Sequence, residues 1–136
     1  MTKAIGALLA AVALASCSQP EELRVAEGAV ATFHEAVRRE AFKEIYAGAD
    51  AELRGAISEE GFLRLMSGVT SKLGTHVRSE LKGERIEPGP SVTLVILAYQ
   101  SEFQRGLAFE TFVFKVAERR ATLGSYNIHS PAFQAN

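Results

Sequence analysis

Residues 92–116 read VTLVILAYQSEFQRGLAFETFVFKV, two long β-rich runs joined at Gln104-Arg105-Gly106. The runs are dominated by branched and aromatic residues, and the polar trio between them has the composition of a hairpin turn. With the turn at Gln104-Arg105 or Arg105-Gly106, alternation places Val95, Leu97 and Tyr99 on one sheet face with Phe112, Phe114 and Val116. The opposite face then carries Leu94, Ile96, Ala98, Leu107, Phe109 and Val113. Both faces are apolar. A meander wetted on one side would show polar residues there, so the second face calls for a cover, and helices, a curl of the sheet or a second copy of the chain would each supply one.

Working outward, Ala117 to Arg120 reads as another turn and Ala121 to Ser130 as a last strand before Pro131. Gly124 is expected to mark a bulge, because only an extra residue lets Ala121 and Leu123 share a face with Tyr126 and Ile128. On the other side, Glu87-Pro88-Gly89-Pro90 breaks the chain, and His76, Arg78, Glu80 and Lys82 alternate with Val77, Ser79 and Leu81 as in a strand with one wet face. Before Gly74 the period changes to that of helices. Leu23, Ala26, Val30, Phe33 and Val37 form one apolar stripe, begun by Pro20, Glu21 and Glu22 and ending near Arg38-Arg39. A break near Glu40 precedes a shorter helix through Phe42, Ile45, Tyr46 and Ala49. Asp50, the chain's one aspartate, suits the cap of a short turn, and Ser58 caps a further helix whose apolar face is Phe62, Leu65, Met66, Val69 and Leu73. The expectation is an α+β domain, N-terminal helices packed on a four-stranded antiparallel curved sheet.

At the N-terminus, Met1-Thr2-Lys3 gives a short positive segment and Ala4 to Ala15 an apolar run, the proportions of a secretory signal and too short to span a bilayer. Leu14-Ala15-Ser16-Cys17 resembles the lipobox of bacterial lipoproteins. The resemblance implies cleavage after Ser16, a diacylglyceryl thioether on Cys17, and stable anchoring through several acyl chains. Residues 1–16 are then a signal, 17–21 a short tether and 22–136 a single domain. Ser18 is similar to the outer-membrane sorting signal of enterobacterial lipoproteins, which implies an outer-membrane anchor facing the periplasm. Ala13-Leu14-Ala15 also satisfies an ordinary secretory cleavage rule, but that cut leaves the chain's one cysteine as a free thiol in an oxidising compartment.

Fifteen basic and 16 acidic side chains, with Lys3 lost on cleavage, provide no basic field for nucleic acid. Eight Phe and three Tyr suit a packed core stabilised without disulfides. The element order, with Tyr99, Phe103-Gln104-Arg105-Gly106, Glu110-Thr111-Phe112-Val113-Phe114 and Leu123-Gly124-Ser125-Tyr126-Asn127-Ile128, looks like the nuclear-transport-factor-like α+β cone over roughly Glu22 to Ser130. That superfamily includes isomerases, dehydratases and non-enzymatic binding or dimerising modules, so the likeness implies a fold and leaves activity open.

His34, beside Phe33, is expected at the helix surface or boundary, His76 on the wet strand face, and His129 facing away from the core. They are far apart in sequence without ligand spacing, so no metal site is expected, nor any cofactor, since phosphate loops and dinucleotide fingerprints are absent. By alternation Glu110 shares a face with Phe112 and lies near Tyr99 or Ser101. The plainer reading makes it a solvated or Arg-paired rim carboxylate; the functional one points it into the cone, its pKa raised by desolvation, as a general base or ligand-binding group. Tyr46, Tyr99, Glu110 and Phe112 are the candidate ligand-contacting residues, with Asp50 a further analogue of the acids such cones use. Two functional expectations follow. The first is a non-enzymatic, membrane-anchored lipoprotein binding a small apolar ligand or a protein partner, with the second sheet face supporting a homodimer. The second is a small hydrolase or isomerase acting around Tyr99 and Glu110.

Overall fold

Pro20 sets the entry to α1 (Glu21–Arg38), whose first turn carries Glu21 and Glu22 against the positive end of the helix dipole. The computed structural model describes residues 19–134; the signal expected over residues 1–16 and the lipidation expected at Cys17 lie outside the described residues. The helix ends where Glu40 turns left-handed at φ 54°, and α2 (Phe42–Gly48) follows with a changed face. Asp50 caps α3 (Ala51–Ala56), its carboxylate accepting from the Glu52 N–H, and Ser58 caps α4 (Glu59–Leu73) by accepting from Gly61. Gly74, at φ 75°, stops α4. A Cβ there would lie 2.8 Å from the Gln104 side chain, so the stop doubles as a docking point for the hairpin tip. Arg105 completes that contact, its guanidinium donating to the Ser71 and Lys72 carbonyls that the helix end leaves unpaired.

The sheet is a meander, β1 (His76–Pro88), β2 (Thr93–Phe103), β3 (Gly106–Ala117) and β4 (Arg120–His129), in the order β1-β2-β3-β4, curved and unclosed. A 3₁₀ turn, Pro131–Gln134, closes the described chain. Phe103 pairs with Gly106, which makes Gln104-Arg105 the hairpin turn. Val95 faces Phe114 and Leu97 faces Phe112 in register, as alternation requires. Val113 pairs with Ser125 and Phe114 with Leu123, so Gly124 is the bulged residue, and Ala121, Leu123, Tyr126 and Ile128 all reach the inner face.

The helices cover that inner face. Leu23, Ala26, Val30, Phe33, Phe62 and Met66 pack on Val95, Leu97, Phe112 and Phe114, all buried. Leu65, expected on the same helical face, is 39% exposed because α4 buries the stripe Phe62, Met66, Val69 and Leu73, with Leu63 rather than Leu65 partly buried beside it. Burying a side chain of this size stabilises the fold by about 1.5–3 kcal/mol, so this cluster dominates the favourable terms. No described helix is long and apolar enough to cross a membrane.

Candidate functional site

One end of the interior is polar. Glu110 projects from β3 into it and is only 1% exposed, less than the buried histidines His34 and His76. Its Oε1 accepts from His34 Nε2 at 2.8 Å and from the Ser101 hydroxyl at 2.5 Å, and its Oε2 accepts from the Tyr126 hydroxyl at 2.6 Å. Burial pushes the Glu110 carboxyl upward, but donors from His34, Ser101 and Tyr126 outweigh it and hold the group below the usual carboxylate range. The raised pKa expected from desolvation is thus corrected: a carboxylate given three donors stays ionised. Neither is it a rim carboxylate.

His34 and His76 overturn their expected places as well. Both are buried, and their rings stack face to face with centroids 3.7 Å apart and planes within 8°. His34 falls at i+4 from Val30 and i−3 from Val37, on the edge of the apolar stripe, a position its polarity disguised. His76 leaves the wet face for another reason. It pairs with Phe103 while Arg78 pairs with Glu102, so Val77 is an unpaired bulge that rotates His76 onto the inner face. Val77 is displaced outward and is 52% exposed. His129 lies on the exposed face, opposite Phe109.

The hydrogen bonds have a direction. A guanidinium only donates, so Arg38 Nη2, 3.2 Å from His76 Nδ1, makes that nitrogen the acceptor. The proton of neutral His76 then sits on Nε2 and is donated to the Ser79 hydroxyl at 2.7 Å. Ser79 donates to Ser101 at 2.6 Å, and Ser101 donates to Glu110. The chain Arg38, His76, Ser79, Ser101, Glu110 therefore runs one way, from a surface cation to a buried anion. Burial, then the neighbouring His34, lower His76 to about 4, consistent with a neutral ring.

This polarity limits the chemistry. Ser79 and His76 have the separation of a nucleophile and its base, but the ring nitrogen facing Ser79 already carries the proton, so it cannot accept one. His34, His76 and Glu110 also place ligand atoms within 4.8 Å of one another. The donor types suit a transition metal, whereas the stacked rings, centroids 3.7 Å apart, keep their nitrogen lone pairs in two nearly parallel planes instead of converging on one point. Four surface grooves among the described residues are lined without Glu110, His34, His76 or Ser101.

The other sequence candidates are dispersed. Tyr99 stands directly across the ladder from Glu110 and packs edge-on against Phe112 at 5.9 Å. Burial and surrounding carboxylates push its hydroxyl up to about 12. Phe112 is fully buried in the core. Tyr46 is a brace, its hydroxyl donating to the Ile57 carbonyl at 2.8 Å at the end of α3. Asp50 caps α3 and pairs with Lys115 at 2.9 Å, on a different side from Glu110. Ser79 and Tyr126 were missed; no spacing in the sequence ties either to a carboxylate.

A groove of about 390 Å³ lies elsewhere, between α1, α2 and the β3–β4 edge. Its walls are Ala29, Phe33, Ala36, Ile45, Phe114 and Leu123, with Arg39 and Glu44 on the rim, 3.6 Å apart. No protein family model matches the chain, and no curated protein resembles it in sequence.

Proposed function

We propose that this chain is a lipoprotein of the bacterial cell envelope, anchored through Cys17, whose domain is a non-enzymatic binding module for a small apolar ligand. The observation that carries the binding role is the apolar groove beside α1 and α2, a volume suited to a small ligand, together with the self-satisfied state of the one buried carboxylate. An enzyme in the cone would need Glu110 or Tyr99 to face a substrate, and Glu110 instead spends both oxygens on internal donors. The anchor rests on the lipobox resemblance. Its test is membrane partitioning: Cys17→Ser is expected to move the protein to the soluble fraction, and unchanged partitioning defeats it.

The groove is tested by titrating the protein with an anilinonaphthalene sulfonate probe. Saturable enhancement that weakens at least tenfold in Ala29→Phe, which fills one wall, supports the reading. Equal binding by both proteins places the probe elsewhere and removes the groove as the site.

A second reading, self-association, is favoured by the outer sheet face. Leu107 and Phe109 are 47% and 50% exposed there, beside Leu94, Ile96, Ala98 and Val113, with the charged β1 and polar β4 as flanks. An apolar centre with a polar rim is the layout of a protein interface. Sedimentation should then give a dimer that Phe109→Glu converts to monomer; a monomer in both cases ends the idea.

A further inference from the structure

The Arg38–His76 contact joins the end of the first helix to the first residue of the sheet, and its geometry tolerates only a neutral imidazole. We propose that this contact is an acid-released latch, in which protonation of His76 drives Arg38 away and separates the end of α1 from the start of β1.

Arg38 makes two bonds to His76. Its Nη2 donates to His76 Nδ1 at 3.2 Å, and its Nε donates to the His76 carbonyl at 3.4 Å. A proton on Nδ1 replaces the acceptor of the first bond with a donor, so two N–H groups and two positive charges meet at hydrogen-bond distance. The other groups facing His76 hold the ring in place. From α1, His34 stacks on it at 3.7 Å; from β2, Phe103 packs edge-on at 5.4 Å; and on β1, Ser79 accepts its Nε2 proton at 2.7 Å. Among the described residues the carboxylate acting on His76 is Glu110 of β3, and its oxygens are already engaged by His34, Ser101 and the β4 residue Tyr126. Arg38 is the mobile partner, since its side chain is 36% exposed and is otherwise held by Glu35 on its own helix at 2.7 Å. The released arginine therefore swings outward, taking both bonds to β1 with it.

The sign follows from linkage. The His76 folded value lies below its unfolded value of 6.5, at about 4, with burial as the first cause and His34 and Arg38 adding to it. The unfolded or opened state therefore binds the proton more readily. Stability is full above pH 6.5 and falls as the pH drops toward 4, where the closed form is disfavoured by about a hundredfold. Glu110 acts separately, its contribution being lost only below its ordinary value of 4.5.

The test uses the full chain in detergent. Ring-nitrogen NMR should show His76 protonated on Nε2 at pH 7 and about half converted to the doubly protonated form near pH 4, with the Arg38 Nε–H exchanging faster over the same range. Arg38→Met, a change at a partly exposed side chain, should raise the His76 midpoint by about half a unit or more by removing a cation from its nitrogen. Urea titrations should show the wild type losing stability between pH 6.5 and 4, with a shallower loss in His76→Gln. A proton on Nδ1 at pH 7, an unshifted midpoint in Arg38→Met, or an Arg38 signal indifferent to pH each overturns the latch. If His76→Gln does not fold, the Arg38→Met midpoint decides alone.

Discussion

On the inner face of β2 and β3, Leu97 and Phe112 sit among side chains that require only volume, while Ser101 and Glu110 sit among groups that each need a particular partner. The first region is bonded by dispersion and water exclusion, which have no direction. The second depends on donors and acceptors aimed at one another, in a medium where an unpaired group is costly. A shared sheet face thus holds two kinds of interior, and they should fail differently. Glu110→Gln separates the two kinds of interior most strongly, because it keeps the shape and removes one acceptor. An amide can accept at only one of its two ends, so either Tyr126 or the His34–Ser101 pair meets another donor. The expected loss is about 3–5 kcal/mol in urea unfolding at pH 7. The wild type should also lose stability as pH falls below 4.5, since the Glu110 folded value is depressed, and the variant should show less of that slope. A loss under about 1 kcal/mol would mean that the polar end is as forgiving as the packed one.

Tyr126→Phe is the intermediate case. It removes the single donor to Glu110 Oε2 and leaves the ring, which packs on Phe33 at 4.7 Å and on Phe112 at 5.1 Å. A buried carboxylate oxygen left short of a donor costs about 1–3 kcal/mol. Because the ring is unchanged, a cost in that range is assigned to the hydrogen bond, and Tyr126→Leu should then cost more. If Leu and Phe are equal, the ring is not packing as it lies.

Much of this contrast was hidden in the sequence for physical reasons. The apolar region was legible, because the stripe through Leu23, Ala26, Val30, Phe33 and Val37 and the alternation through Val95, Leu97 and Tyr99 are repeated signals that tertiary structure did not override. The Gly124 bulge was legible too, since only an extra residue reconciles Leu123 with Tyr126. The polar end was not. Val77 carries no glycine or proline to mark its bulge, and without that bulge His76 points to water. His34 meets Glu110 across 76 positions of chain, a distance over which spacing has no meaning. Alternation puts Glu110 on the face of Phe112, yet its ionisation depends on three donors from three other elements. Periodicity reports which face a residue occupies, not which partner it finds there.

The smallest expected effect tests the packed region. Leu97 is fully buried between Phe112 across the ladder and the helices above, and Leu97→Met keeps its volume while exchanging a branched chain for a flexible one. Met adapts by rotating about its extra bond, and no donor or acceptor loses a partner, so the cost should stay below about 1.5 kcal/mol. Its pH dependence should match the wild type, because Leu97 makes no hydrogen bond to a titratable group and its β1 ladder partner, Glu84, is exposed. Glu110→Gln conserves volume equally well and should cost severalfold more. The ratio of the two therefore measures direction itself, with size held constant. Similar losses for both would mean that shape alone governs this interior, and that the chain from Arg38 to Glu110 contributes little beyond filling space.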